Sequence, residues 1–84
     1  MGKINIKAAA LAFGISWGLL IMLTGWLAAS GWGVDFVEIF ASLYIGYSAG
    51  FFGGVIGFIW GFVDGAICGA LVAAIYNIVV SAKK

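Results

Sequence analysis

Two long apolar runs, parted by a short mixed stretch, set the order of residues in this chain. Ala8 to Ala29 holds 22 residues without a charge, and Phe51 to Val80 holds 30 residues with one charge, Asp64. At 1.5 Å per residue these runs make about 33 Å and about 45 Å of helix, and each is long enough to cross the ~30 Å hydrocarbon core of a bilayer. Tilt, or emergence of one end, absorbs the surplus of the second. Ser30-Gly31-Trp32-Gly33 breaks the first run, since two glycines so close together end a helix in a turn. Asp35 and Glu38 stand at the spacing of a capping box, which predicts a helix start at Asp35. Phe36, Phe40, Leu43 and Tyr47 then recur on one face, while Asp35, Glu38 and Ser42 make a narrow polar edge. That pattern predicts a short helix over 35–44 lying along the membrane surface. Gly46-Tyr47-Ser48-Ala49-Gly50 supplies the next turn. The expected fold is an all-α membrane protein: a two-span helical hairpin with spans over 8–29 and 51–80, a short interfacial helix between the spans, and a single membrane domain over 1–84. A three-span alternative turns at Gly53-Gly54 and makes 36–52 a membrane helix.

Small residues fall in a row on the second run. Gly53, Gly57, Gly61, Gly65 and Gly69 are spaced four apart, and Gly14 and Gly18 form a matching pair on the first run. Glycines at that spacing leave a strip without side chains, against which another helix backbone packs closely in lipid. Residues four apart drift about 40° around a helix with 3.6 residues per turn, so the row turns through roughly 160° from Gly53 to Gly69. One straight neighbour cannot follow it: either the partner crosses right-handed, or the row faces two partners in turn. Within one hairpin only Gly14, Gly18 and Gly25 are matching small sites on the first run. The reading therefore predicts a homo-oligomer or burial in a larger membrane complex, with an intramolecular contact alone as the alternative.

Composition excludes most other classes. With 65% hydrophobic residues, 8% charged residues and a mean hydropathy of +1.24, the chain cannot clothe a soluble core in polar surface. A net charge of +1, with Lys3 and Lys7 near one end and Lys83 and Lys84 at the other, provides no basic field for nucleic acid. The lysines flank the spans and the connection carries only Asp35 and Glu38, so the positive-inside rule predicts an N-in, C-in hairpin in a bacterial or archaeal inner membrane. The alternative of a cleaved signal peptide ending at Ala28-Ala29-Ser30 is countered by an apolar run much longer than a signal h-region. Trp26, Trp32, Tyr44, Tyr47 and Tyr76 are expected as anchors at the headgroup level.

The remaining chemistry is sparse. The chain has no histidine and no arginine, and its lone cysteine, Cys68, lies in an apolar run as a small packing residue. Nucleophile–base pairs, zinc sites and phosphate loops lack their parts, so no enzyme and no cofactor is predicted. Asp64 is the exception. An ionised carboxylate near mid-bilayer costs on the order of 3 kcal/mol, so the residue is neutral, is hydrogen-bonded to a neighbouring helix, or lines a wet path for a proton or ion. Counted up from Asn77 against an antiparallel first span, Asp64 is expected opposite Met22 to Thr24. Thr24, and the indole N–H of Trp60 one turn before Asp64, are its predicted partners.

Trp60-Gly61-Phe62-Val63-Asp64-Gly65 followed by Ile75-Tyr76-Asn77 resembles the signature of small hydrophobic bacterial and archaeal membrane proteins labelled bacteriophage holins, and the resemblance covers most of the chain. It implies a self-associating, holin-like protein that forms a pore or lesion in the inner membrane. Two alternatives stand beside it: an accessory or scaffolding subunit of a larger membrane complex, and a proton- or ion-conducting oligomer centred on Asp64. The chain is also similar in size to the c-subunit hairpin of rotary ATPases. It departs from that family by carrying glycine row and carboxylate on one helix and by having an acidic connection.

Overall fold

The computed structural model describes residues 3–82; Lys83 and Lys84, on which half of the orientation argument rests, lie outside the described residues. The described residues form three helices, α1 (Ile6–Ala28), α2 (Val34–Ala41) and α3 (Phe51–Ala82). Both long helices are long and apolar enough to cross a membrane. They pack together along their length as a hairpin, with α2 in the connection. The first helix begins where Asn5 accepts a hydrogen bond from the Ala8 amide at 3.0 Å, which satisfies one of the donors a helix start leaves open.

A clasp near the open end sets the register of the hairpin. The Asn77 side chain accepts from the Ile4 amide at 2.8 Å and donates to the Ile4 carbonyl at 2.9 Å. Thirteen residues above Asn77 stands Asp64, and thirteen above Ile4 stands Trp17, so these two share a level. The glycine row follows the same register: a Cβ at Gly69 would meet the Ala9 carbonyl, one at Gly65 the Phe13 carbonyl, and one at Gly61 the Gly18 Cα. The two backbones therefore touch, and the strip without side chains is what allows it.

Near the top of the row a second surface takes over. A Cβ at Gly57 would collide with the Tyr47 ring, and one at Gly53 with Ser48. The row thus meets two partners in turn, as its angular drift requires, but both belong to the same chain. The part of the groove that the first span leaves open is filled within this chain, because the connection folds back onto Gly53 and Gly57. Gly14 and Gly18 lie within the same contact, against Phe62 and Phe58.

That connection departs from the expected surface helix in its path. It starts at Gly33, whose φ of 75° is left-handed and whose added Cβ would approach Thr24. The capping box is not formed: α2 begins at Val34, Gly33 is its cap, and no side chain caps it. From there α2 runs back along α1. Val37 is buried with Ile21 and Ala28, and the rings of Phe40 and Trp17 meet edge to face at 5.9 Å. The chain turns at 42–46 and climbs again, with Tyr47 donating to the Ile21 carbonyl at 2.7 Å and the Gly50 amide to the Gly25 carbonyl at 3.0 Å. The path of α2 is instead fixed by its contacts along α1, from Gly33 beside Thr24 to Phe40 on Trp17. Residues 34–50 are a re-entrant segment reaching down to the level of Trp17. At 1.5 Å per residue this lies about 16 Å below Ala28. Neither the three-span alternative nor a helix over 36–52 is present, because the backbone breaks at Ser42 and again reverses at Gly46 and Gly50, whose φ angles are positive.

Candidate functional site

At the tip of the re-entrant segment a polar chain crosses all three parts of the fold. The Trp17 indole N–H of α1 donates to the Tyr44 hydroxyl at 3.2 Å, and that hydroxyl donates to Asp64 Oδ2 of α3 at 2.6 Å. Both capacities of one phenol are used, so its proton is directed at the carboxylate. A low-dielectric, apolar surrounding strengthens such a bond. Tyr44 is 5% exposed. Its ring stacks on Trp60 with centroids 5.8 Å apart and planes 4° from parallel, and it packs on Phe40 and Tyr47 as well.

The partners expected for Asp64 are engaged elsewhere. Thr24 is buried and donates to the Leu20 carbonyl of its own helix at 2.8 Å. It lies seven residues above Trp17, because the Asn77–Ile4 clasp places the first span about two turns away from the register assumed from sequence. Trp60 keeps its indole N–H for the Ile45 carbonyl, at 2.9 Å. That bond is needed there: a carbonyl at the tip of a re-entrant segment has no helix to satisfy it.

The aromatic residues expected at the membrane surface divide into two groups. Trp32 is 63% exposed at the hairpin end. Trp26 donates to the Phe51 carbonyl at 3.0 Å and stacks on the Phe51 ring at 5.4 Å, so it ties the two long helices together. Tyr76 is half-buried near the open end. Tyr44 and Tyr47, however, are folded inside the hairpin and anchor nothing at its surface. Their neighbours in sequence give no sign of this, because the reversal of the chain at 42–46 comes from glycine and serine turns rather than from any periodicity.

Asp64 itself is exposed on its other side. It opens on a groove of about 340 Å³ between α1 and α3, lined also by Phe13, Trp17, Gly65, Cys68 and Val72. Cys68 is a free, exposed thiol on this wall rather than a packing residue. Apart from Asp64 the lining is apolar or weakly polar, so the carboxylate is the only charged group the groove offers. Among the described residues no cluster of three His, Cys, Asp or Glu comes together to hold a metal ion, and no buried side-chain polar atom lacks a hydrogen-bond partner.

Nothing in the sequence marks Tyr44 or Trp17 as parts of this site. An aromatic residue with a single polar atom reads first as an anchor or as packing, and only the fold brings residues 17, 44 and 64 together. No family model, no curated protein and no solved structure matches the chain.

Proposed function

We infer that this chain is a small integral membrane protein whose working group is Asp64, a carboxylate that binds a proton or a cation at mid-membrane depth. The supporting observation is the division of its two faces. One oxygen is held by the Tyr44 hydroxyl at 2.6 Å, while the residue stays exposed toward an otherwise uncharged groove. A purely structural carboxylate in lipid would be expected to be enclosed on all sides, since an open one costs several kcal/mol unless it meets a counter-charge, a proton or water. Here the chain fixes the position of the group and leaves room for something to come to it. The membrane assignment draws on the two long apolar helices and on their outward faces, where Leu11, Ile15, Leu19 and Leu23 on α1 and Ile59, Val63, Ile67 and Leu71 on α3 are all exposed. A bacterial or archaeal inner membrane with both ends in the cytoplasm is the placement the lysines favour.

The test is a flux assay on the purified protein in liposomes carrying a trapped pH dye. The wild type is expected to dissipate an imposed proton gradient faster than empty vesicles, and Asp64→Asn to reduce that excess rate at least tenfold. An undiminished rate in Asp64→Asn overturns the reading.

A second reading is favoured by one further observation. Asp35, Glu38 and Ser42 form an exposed polar edge on the outside of α2, and Glu38 lies beside Val37, at the level of Ile21. That is about 10 Å below Ala28 on α1. In lipid this edge calls for water or protein beside it, which suits a self-associating, holin-like assembly or a subunit of a larger complex. Oligomer mass in mild detergent and dye leakage on expression distinguish the two: the first expects a defined oligomer with leakage, the second copurification without leakage.

A further inference from the structure

We propose that the groove beside Asp64 is a binding site for hydrophobic organic monocations, one per chain, with the cationic centre on the free side of the carboxylate and the apolar body against Phe13, Trp17 and Val72. This rests on the reading of Asp64 as a cation-binding group and names the class of ligand.

The groove is unsuited to a metal cation. A metal cation that leaves water needs a shell of oxygens, about six to eight for calcium and six for magnesium. The groove supplies one carboxylate, and the nearest hydroxyl, that of Tyr44, already points its proton at Oδ2. No residue of the tip lines the groove, and the Ile45 oxygen is taken by Trp60. A metal ion would therefore leave most of its shell behind without replacement.

An organic cation has no such need. Its charge is spread or capped by carbon, its desolvation is correspondingly cheap, and its body gains from apolar walls. The groove meets both halves of that chemistry. Its volume of about 340 Å³ lies in the range of small-molecule pockets, which are mostly apolar with a few placed polar groups. Trp17 stands on the wall next to the carboxylate, and an indole ring is the best of the aromatic partners for a cation. An acyl chain of the bilayer also fits such walls, but it leaves the carboxylate without a counter-charge. A hydrophobic cation satisfies walls and carboxylate together. The groove is open along the hairpin's flank, so a ligand already partitioned into lipid reaches it sideways.

The experiment uses the full-length protein in nanodiscs of zwitterionic lipid, with tetraphenylphosphonium as the probe and tetraphenylborate, of the same shape and opposite charge, as its control. Equilibrium dialysis against empty nanodiscs is expected to show saturable binding of the phosphonium at one per chain and none of the borate. Asp64→Asn is expected to weaken phosphonium binding at least tenfold. Cys68→Phe, which fills the groove and leaves the carboxylate in place, is expected to do the same. Equal binding of both probes, or no saturable binding of the phosphonium by the wild type, overturns the proposal. If the phosphonium fails to bind while proton flux still depends on Asp64, this site falls and the reading of Asp64 stands. If Asp64→Asn alters neither flux nor binding, both fall.

Discussion

Tyr44 and Asp64, twenty residues apart in sequence, share one hydrogen bond of 2.6 Å, and through it the tip of a re-entrant segment is fastened to the middle of the longest helix. The bond does two jobs at once. It fixes one oxygen of the only acid in the long apolar runs, and it holds the connection inside the hairpin, where the Tyr44 ring is stacked on Trp60.

Tyr44→Phe keeps the ring and removes both the donor to Asp64 and the acceptor for Trp17. Loss of one partner of a hydrogen bond in an apolar setting is expected to cost about 1–3 kcal/mol. Unfolding in mixed detergent micelles measures it. A double-mutant cycle with Asp64→Asn should show that the two changes are far from additive, and simple additivity would mean the residues do not interact.

Gly65→Ala is expected to push α1 away from α3. A Cβ there would sit 2.5 Å from the Phe13 carbonyl oxygen, and neither backbone can yield without moving its helix. The expected penalty is about 1–3 kcal/mol, the usual range for overpacking. Spin labels on the outer faces of the two helices would report the widening. An unchanged distance with unchanged stability would show that the backbones are not in contact at this level.

How far the sequence carried the fold can be seen at these two positions. Gly65 was legible, because a spacing of four on an apolar helix has one physical use. Its packing on the first span of the same chain stood only as the alternative to a second copy or another subunit, because nothing in the pattern shows that the connection completes the groove. The two spans were readable to within two residues, Ile6–Ala28 against 8–29 and Phe51–Ala82 against 51–80. Tyr44 was not readable as a partner of Asp64. The face made by Phe36, Phe40 and Leu43 is amphipathic in the same way whether the helix lies on a membrane or folds back along α1, so periodicity is silent on the choice. The choice falls to long-range contacts: the Trp60 bond to the Ile45 carbonyl, the seat for the Tyr47 ring over Gly57, and the Asn77 clasp that puts Trp17 rather than Thr24 beside Asp64.

Asn77→Ala removes both bonds to the Ile4 backbone. With about 0.5–1.5 kcal/mol for each net hydrogen bond, the expected loss is roughly 1–3 kcal/mol. It is confined to the open end, so amide exchange should rise over the first turn of α1 and stay slow around Ile21. A uniform rise along both helices would contradict the local role of the clasp.

Trp60→Phe keeps the stack on Tyr44 and releases the Ile45 carbonyl, leaving a polar group at the tip without its donor. A cysteine placed at Ile45 is expected to react faster with a membrane-permeant maleimide in this background than in the wild type, as the tip loosens. An identical rate would show that the indole bond does not hold the segment in place.

The direct test of the account is the infrared band of the Asp64 carboxyl in lipid bilayers, isolated by carbon-13 labelling of aspartate and subtraction of the Asp64→Asn spectrum. A hydroxyl donor close to the group lowers and sharpens its stretch, so Tyr44→Phe should shift the band while Tyr47→Phe, whose hydroxyl serves the Ile21 carbonyl, should leave it where it is. A band that ignores the removal of the Tyr44 hydroxyl would contradict the account.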